Sequence, residues 1–201
     1  MIRTEDGVTL AGTWYEPAAR PAPAVVLVHM LLRSRRDWDL VAARLAQEGI
    51  GALAIDLRGQ GDSLGSAQDY SAMVADVRAA RRFLLSRAAV SQGRVGLGGA
   101  SLGASLVLLA AADDPTVSSV AMLSPALDYR GVRIEAAARK YGTRQLLLVA
   151  GDDDPYALRS ARELQGAASA TRQLLVLSHA GHGTMMLLRE PGLTAALVDW
   201  F

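Results

Sequence analysis

The stretch that most constrains this chain is Arg94 to Ala111, RVGLGGASLGASLVLLAA. Arg94 to Gly98 is short and half apolar, which suits a strand. Gly99-Ala100-Ser101-Leu102-Gly103 fits G-x-S-x-G, and Leu102 to Ala111 is rich in leucine and alanine, good helix formers. Strand, tight glycine turn and apolar helix, in that order, is the context in which this motif carries meaning. A serine at such a bend sits in strained backbone geometry. Small neighbours let strand and helix approach each other. The bend pushes the Ser101 hydroxyl out of the sheet edge. It also puts the Leu102 amide at a helix N-terminus, where developing negative charge is favoured. That is the setting of a nucleophile; the bland alternative is a serine in an ordinary glycine turn.

Around this stretch apolar strand-like runs alternate with helical patterns. Val8 to Tyr15 alternates apolar and polar residues, as an outer antiparallel strand does. Pro17 to Pro23 reads as a connector. Ala24 to His29, Gly51 to Asp56, Val117 to Leu123, Gln145 to Ala150 and Gln173 to Ser178 read as buried strands. Asp37 is positioned to cap a helix that carries Trp38, Val41 and Leu45 on one face, and Gly49 ends it. A long helix from Asp69 to Arg87 has Met73, Val77, Ala80 and Leu84 on one stripe. Shorter helices are expected near Ile134–Lys140 and Tyr156–Leu164, and a last one ends at Trp200 and Phe201 with Leu193 and Leu197 inside. The pattern predicts an α/β fold with a mostly parallel sheet covered by helices on both faces. It spans 1–201 as one domain, with no repeat and no internal boundary.

Composition narrows the function classes. A chain of 201 residues, 51% hydrophobic and 20% charged, has enough apolar content for a sizeable core. A net charge of +1 gives no reason to expect nucleic acid or an anionic membrane as partner. With no cysteine there is neither a disulfide framework nor thiol catalysis. The N-terminal MIRTEDGVTL has no apolar signal region, and no run reaches membrane-spanning length, so a cytoplasmic protein is expected. Lys140 is the one lysine; every other basic residue is arginine.

A serine hydroxyl needs a base, and the base must be held in place. Of the three histidines, His182 lies in Ala180-Gly181-His182-Gly183, whose small residues let the loop approach Ser101. His179, at the end of the last strand, reads as structural and is the main rival to His182 as base, and His29 reads as a brace for an early loop. The orienting acid is expected in Gly151-Asp152-Asp153-Asp154-Pro155. Asp154 is favoured because it precedes a proline that starts a helix, while Asp152 and Asp153 are free to cap that helix or face solvent. The order Ser101, Asp154, His182 is nucleophile, acid, base.

With these residues in hand the sequence resembles the α/β-hydrolase superfamily, and within it the small, lidless dienelactone-hydrolase-like and serine-esterase-like members. VVLVH followed by Met30-Leu31 is similar to the family's strand and HG oxyanion loop. Asp56 to Ser63, DLRGQGDS, is similar to its D-x-R-G-x-G-x-S loop, GGASLG to its nucleophile elbow, GDDD to its acid loop and AGHG to its histidine loop. The resemblance implies an α/β-hydrolase fold and a carboxylic ester hydrolase working through an acyl-enzyme, with Ser101, His182 and Asp154 as its triad. The oxyanion would be held by the Leu102 amide and one from the Met30–Leu31 loop, with Leu31 preferred. Met30 stands where the family has glycine, and Ser101 where true dienelactone hydrolases have cysteine, which argues for ordinary ester hydrolysis.

Such chemistry needs no metal and no organic cofactor; His179 and His182 on one loop make a weak metal signal. Ser124 to Arg133 is too short for a cap domain, so an open, shallow site for small or short-chain esters is expected. Leu32, Met185 and Met186 could line the acyl pocket, the plain reading of the two methionines being core packing. Arg33, Arg35 and Arg36 could draw a substrate carboxylate, against the blander reading of a solvated run. Asp56 and Arg58 read as structural. The rival readings are acyl transfer, peptide or thioester cleavage on the same triad, or a non-catalytic ligand-binding protein of this fold.

Overall fold

The computed structural model describes residues 1–167 and 172–201. Its centre is a sheet of seven strands: β1 (Gly12–Tyr15), β2 (Ala22–Val28), β3 (Gly51–Ile55), β4 (Val90–Ala100), β5 (Val117–Leu123), β6 (Gln145–Gly151) and β7 (Arg172–Leu177). Their spatial order is β7-β6-β5-β4-β2-β3-β1. β1 pairs antiparallel with β3, Gly12 opposite Ile55, and every other pairing is parallel.

The inner strands β2, β3, β5 and β6 are buried along nearly their whole length because both faces are covered. In β2, Val26 and Val28 point into one core while Val25 and Leu27 point into the other. In β6, Leu146, Leu148 and Ala150 share the first core, and Leu147 and Val149 the second. The first core is closed by α2 (Val74–Leu85), α3 (Leu102–Ala112), α4 (Glu135–Tyr141) and α5 (Pro155–Gly166). The second is closed by α1 (Asp39–Gln47), α6 (Met186–Arg189) and α7 (Pro191–Trp200). Expected stripes are buried as units: Met73, Val77, Ala80 and Leu84 on one side, and Trp38, Val41 and Leu45 on the other. α3 is buried nearly all round, with Leu109 its one partly exposed leucine. It is flanked by α2 and α4 as well as lying on the sheet, which is why its sequence lacks a polar face.

Element ends differ from the sequence reading for local reasons. The long helix starts at Val74 rather than Asp69. The Asp69 carboxylate takes the Ser71 hydroxyl at 2.7 Å and the Ala72 N–H at 3.1 Å, which holds the preceding residues in a turn. Asp37 caps nothing: a 3₁₀ turn over Arg35–Trp38 precedes α1, and the Asp37 carboxylate is taken by Arg33 and Thr184. β4 begins at Val90 rather than Arg94, and β2 at Ala22 rather than Ala24. Between β5 and α4 lies only a two-by-two ribbon, Asp128–Tyr129 with Val132–Arg133, and no cap domain. Among the described residues no helix is long and apolar enough to cross a membrane.

Candidate active site

Parallel strands deliver their loops to one sheet edge, and here that edge gathers the loops after β2, β3, β4, β6 and β7. At its centre β4 turns into α3 through Ser101, which has φ 52° and ψ −116°. That conformation costs a non-glycine residue about 1–3 kcal/mol and persists because its surroundings fix it. The Ser101 N–H donates to the Leu123 carbonyl of β5 at 2.8 Å, and its carbonyl accepts from the Ser105 N–H at 3.2 Å. Two glycines make the bend sterically feasible. A Cβ on Gly99 would lie 2.4 Å from the Gly103 carbonyl oxygen, and one on Gly103 would lie 2.6 Å from the carbonyl oxygens of both Val28 and His29. The helix is thus packed directly against the elbow strand and β2.

Ser101, His182 and Asp154 meet on this edge. His182 Nε2 is 2.8 Å from Ser101 Oγ, and His182 Nδ1 is 2.5 Å from Asp154 Oδ2. The carboxylate acceptor assigns the ring proton to Nδ1 and leaves Nε2 to accept from the hydroxyl. Asp154 also caps α5, its Oδ1 accepting from the Ala157 N–H at 3.3 Å. The three consecutive aspartates do three jobs on one loop. Asp152 accepts the His179 N–H at 2.7 Å and the Ser178 hydroxyl at 3.1 Å. Asp153 accepts the Gly181 N–H at 2.9 Å. Asp154 takes the imidazole. Neither Asp152 nor Asp153 caps α5, and the His179 side chain is exposed to solvent. Ser124, at φ 50°, accepts the Gly183 N–H at 2.9 Å from the other side of the loop.

The loop after β2 approaches the same place. Met30 to Arg33 form a turn closed by the Arg33 N–H on the Met30 carbonyl at 3.3 Å, with Leu32 at φ 62°. His29 braces its start: the Leu57 N–H donates to Nε2 at 3.0 Å, so Nδ1–H donates to the Met30 carbonyl at 2.7 Å. The Leu32 N–H donates to Gln60 Oε1 at 2.6 Å, while the Leu31 N–H has no acceptor among the described residues. The Met30 side chain occupies the space beside Gly183, where a Cβ would stand 2.5 Å from its sulfur. Leu102 is the first residue of α3.

The remaining candidates divide. Leu31 is half-buried against the first core, Leu32 is 85% exposed, and Met185 is half-buried. Met186 is fully buried in the second core, beneath α1 and α7, so it presents no surface to a ligand and is corrected from pocket to packing. Of the three arginines, Arg33 grips Asp37 through two nitrogens. Arg35 reaches Asp56, Asp62 and Thr13, and Arg36 is exposed. Asp56 accepts N–H groups of Arg35 and Asp62, and Arg58 pairs with Asp76 and Asp6, so both brace the loop after β3. The reading from sequence missed Gln60, Ser124 and Thr184. Their signals were the polar residue inside the glycine loop, the serine before Pro125 and the threonine after the histidine loop.

Burial holds the His29 imidazole below the usual histidine range, against the opposing pull of its Met30 carbonyl partner. The unfolded chain takes up that proton near pH 6.5 and the native chain does not, so stability falls as pH drops through about 6.5. Protonation would also convert the Nε2 acceptor of Leu57 into a donor. We expect the melting temperature of wild type to drop between pH 7.5 and 5.5 more steeply than that of His29→Gln; parallel slopes would contradict the assignment.

Comparisons with known proteins agree with this fold. The family model described as serine aminopeptidase, S33 matches residues 19–140. An uncharacterized protein of Mycobacterium tuberculosis is 27% identical over 94% of this chain and 73% of its own length. The Pyrococcus furiosus esterase Pf2001 superposes with a TM-score of 0.79 at 19% identity, covering 99% of this chain and 87% of that one. A dienelactone hydrolase from Anabaena variabilis superposes with a TM-score of 0.79 at 22% identity, covering 100% of this chain and 94% of the other. The fold is therefore the α/β-hydrolase fold. With more than half of its length matched by that model, the chain belongs to the serine aminopeptidase S33 family of α/β hydrolases.

Proposed function

We propose that this protein is a serine carboxylic ester hydrolase for small or short-chain esters, with Ser101 as nucleophile, His182 as base and Asp154 as orienting acid. The observation that carries the reading is the hydrogen-bonded relay itself: 2.8 Å from Ser101 to His182 and 2.5 Å from His182 to Asp154, on a strained elbow at the sheet edge. Ser101 Oγ attacks the ester carbonyl carbon as its proton passes to His182 Nε2. The tetrahedral oxyanion is held by the N–H groups of Leu102 and Leu31, each contributing about 3 kcal/mol to the barrier reduction. The intermediate collapses, and His182 returns the proton to the departing alcohol. Water then gives its proton to His182, attacks the acyl-enzyme, and releases the acid with Ser101 restored.

Two features favour esters of small acids. The His182 side chain is 50% exposed and no cap covers it, so little apolar wall surrounds a long acyl chain. The family name raises peptide hydrolysis as the second reading, with an amine in place of the alcohol. An aminopeptidase must pair the substrate's ammonium with a carboxylate. Here Asp152 and Asp153 are engaged by backbone N–H groups and Asp37 by Arg33 and Thr184, which favours a neutral ester. The test is hydrolysis of p-nitrophenyl esters from acetate to palmitate beside aminoacyl p-nitroanilides. The reading expects a maximum at short chains. A maximum at long chains overturns the short-chain assignment, and anilide cleavage without ester cleavage replaces the esterase by a peptidase.

A further inference from the structure

The loop after β2 holds Leu32 at φ 62°, a conformation leucine resists. Something outside the loop must hold it. His29 fixes the first carbonyl of the turn, as described, and Gln60 is the partner at its far end. Gln60 sits in the loop after β3, where its own N–H donates to the Leu57 carbonyl at 3.0 Å and its carbonyl accepts from the Ser63 N–H at 3.1 Å. Its side chain is therefore mounted on a fixed backbone. Gln60 is 7% exposed, and its Oε1 accepts the Leu32 N–H at 2.6 Å. Its Nε2 is buried with no partner among the described residues. A buried amide with one half unsatisfied is a poor choice for packing alone, since an apolar side chain of that size would fill the space without the desolvation cost. What the glutamine supplies and an apolar residue cannot is the acceptor for Leu32.

We propose that Gln60 is the positioning residue of the oxyanion hole. By claiming the Leu32 N–H it locks the Met30–Arg33 turn, and leaves the Leu31 N–H unclaimed and fixed toward the reacting carbonyl. A side chain from the neighbouring strand's loop thus holds a turn in which no residue from Met30 to Arg33 is glycine. This inference rests on the esterase reading, because an oxyanion hole has a purpose only if Ser101 acylates.

The test compares Gln60→Met, of similar length without an acceptor, with Gln60→Glu, whose carboxyl oxygen reaches the same N–H. Both are assayed on a short-chain p-nitrophenyl ester and on the matching thionoester, in which sulfur replaces the carbonyl oxygen and accepts hydrogen bonds weakly. Gln60→Met is expected to lower kcat about 10–100-fold, less than outright removal of an oxyanion donor, with KM within about threefold. The preference for oxygen over sulfur should shrink about tenfold in the same variant, and Gln60→Glu should recover kcat to within about threefold of wild type. Should Gln60→Met not fold, Gln60→Asn, one methylene too short to reach Leu32, takes its place with the same expectations. An unchanged kcat, or a lowered kcat with an unchanged oxygen-to-sulfur preference, overturns the positioning role. If wild type hydrolyses no ester, the esterase reading fails and this inference falls with it; if wild type is active and the variants match it, only this inference fails.

Discussion

Replacing Ser101 by alanine is expected to lower kcat on short-chain esters by about 10⁶-fold, the loss seen when the nucleophile of such a relay is removed. The fold should survive, with a melting temperature within a few degrees of wild type. The hydroxyl's bond is to a half-exposed imidazole, while the elbow is held by backbone bonds to β5 and α3 that alanine keeps. Covalent labelling by a fluorophosphonate should disappear together with turnover. On the proposed mechanism the three side chains act as one unit, so the double variant Ser101→Ala/His182→Ala should be scarcely worse than either single one. Residual ester hydrolysis within tenfold of wild type would remove Ser101 from the chemistry altogether.

Far from that edge, the largest stability effect is expected at Asp76. Its carboxylate is fully buried and accepts the Arg58 N–H at 2.9 Å, Arg58 Nε at 2.8 Å and Nη2 at 2.7 Å. Asp76→Ala would strand the Arg58 guanidinium, itself 6% exposed, with Asp6 as its remaining anionic partner. Removing one member of a buried pair costs about 3–5 kcal/mol. In a domain of this size that corresponds to a melting temperature lower by roughly 10 °C. Replacing both partners with apolar residues, Arg58→Met/Asp76→Leu, should restore most of the loss, since no charge is then left uncompensated. Denaturant unfolding measures both; a single-variant cost below about 1 kcal/mol would mean that water reaches Arg58.

What the sequence made legible was whatever a local backbone demand forces onto residue type. The Gly99, Ser101, Gly103 spacing follows from the close approach of helix and strand, so it could be read without coordinates. The alternation of β2 between two cores and the stripe of α2 are similarly written in period and hydropathy. What could not be read are partnerships across long separations. Asp37 looks like a helix cap from its neighbours, yet its ligands include Thr184, 147 residues away. Met186 stands four residues after His182 and reads equally well as pocket or core until α1 and α7 are seen to close over it. The acid loop shows the boundary between the two. Pro155 argues for Asp154, but nothing local says that Asp152 and Asp153 would each hold a different backbone N–H of the histidine loop.

The short ribbon between β5 and α4 has a consequence for how this scaffold could diversify. Its tip, Arg130 and Gly131, has φ values of 49° and 87° and is exposed. Chain grafted there would interrupt no core strand or helix and would emerge beside Leu109 and Ala112 in the C-terminal half of α3, at the other end of that helix from Ser101. Exposed loop tips of that kind are where insertions are best tolerated. Added sequence at this point could therefore acquire a role of its own while the older machinery stays untouched, so that new attachments and the original chemistry could evolve on separate timetables.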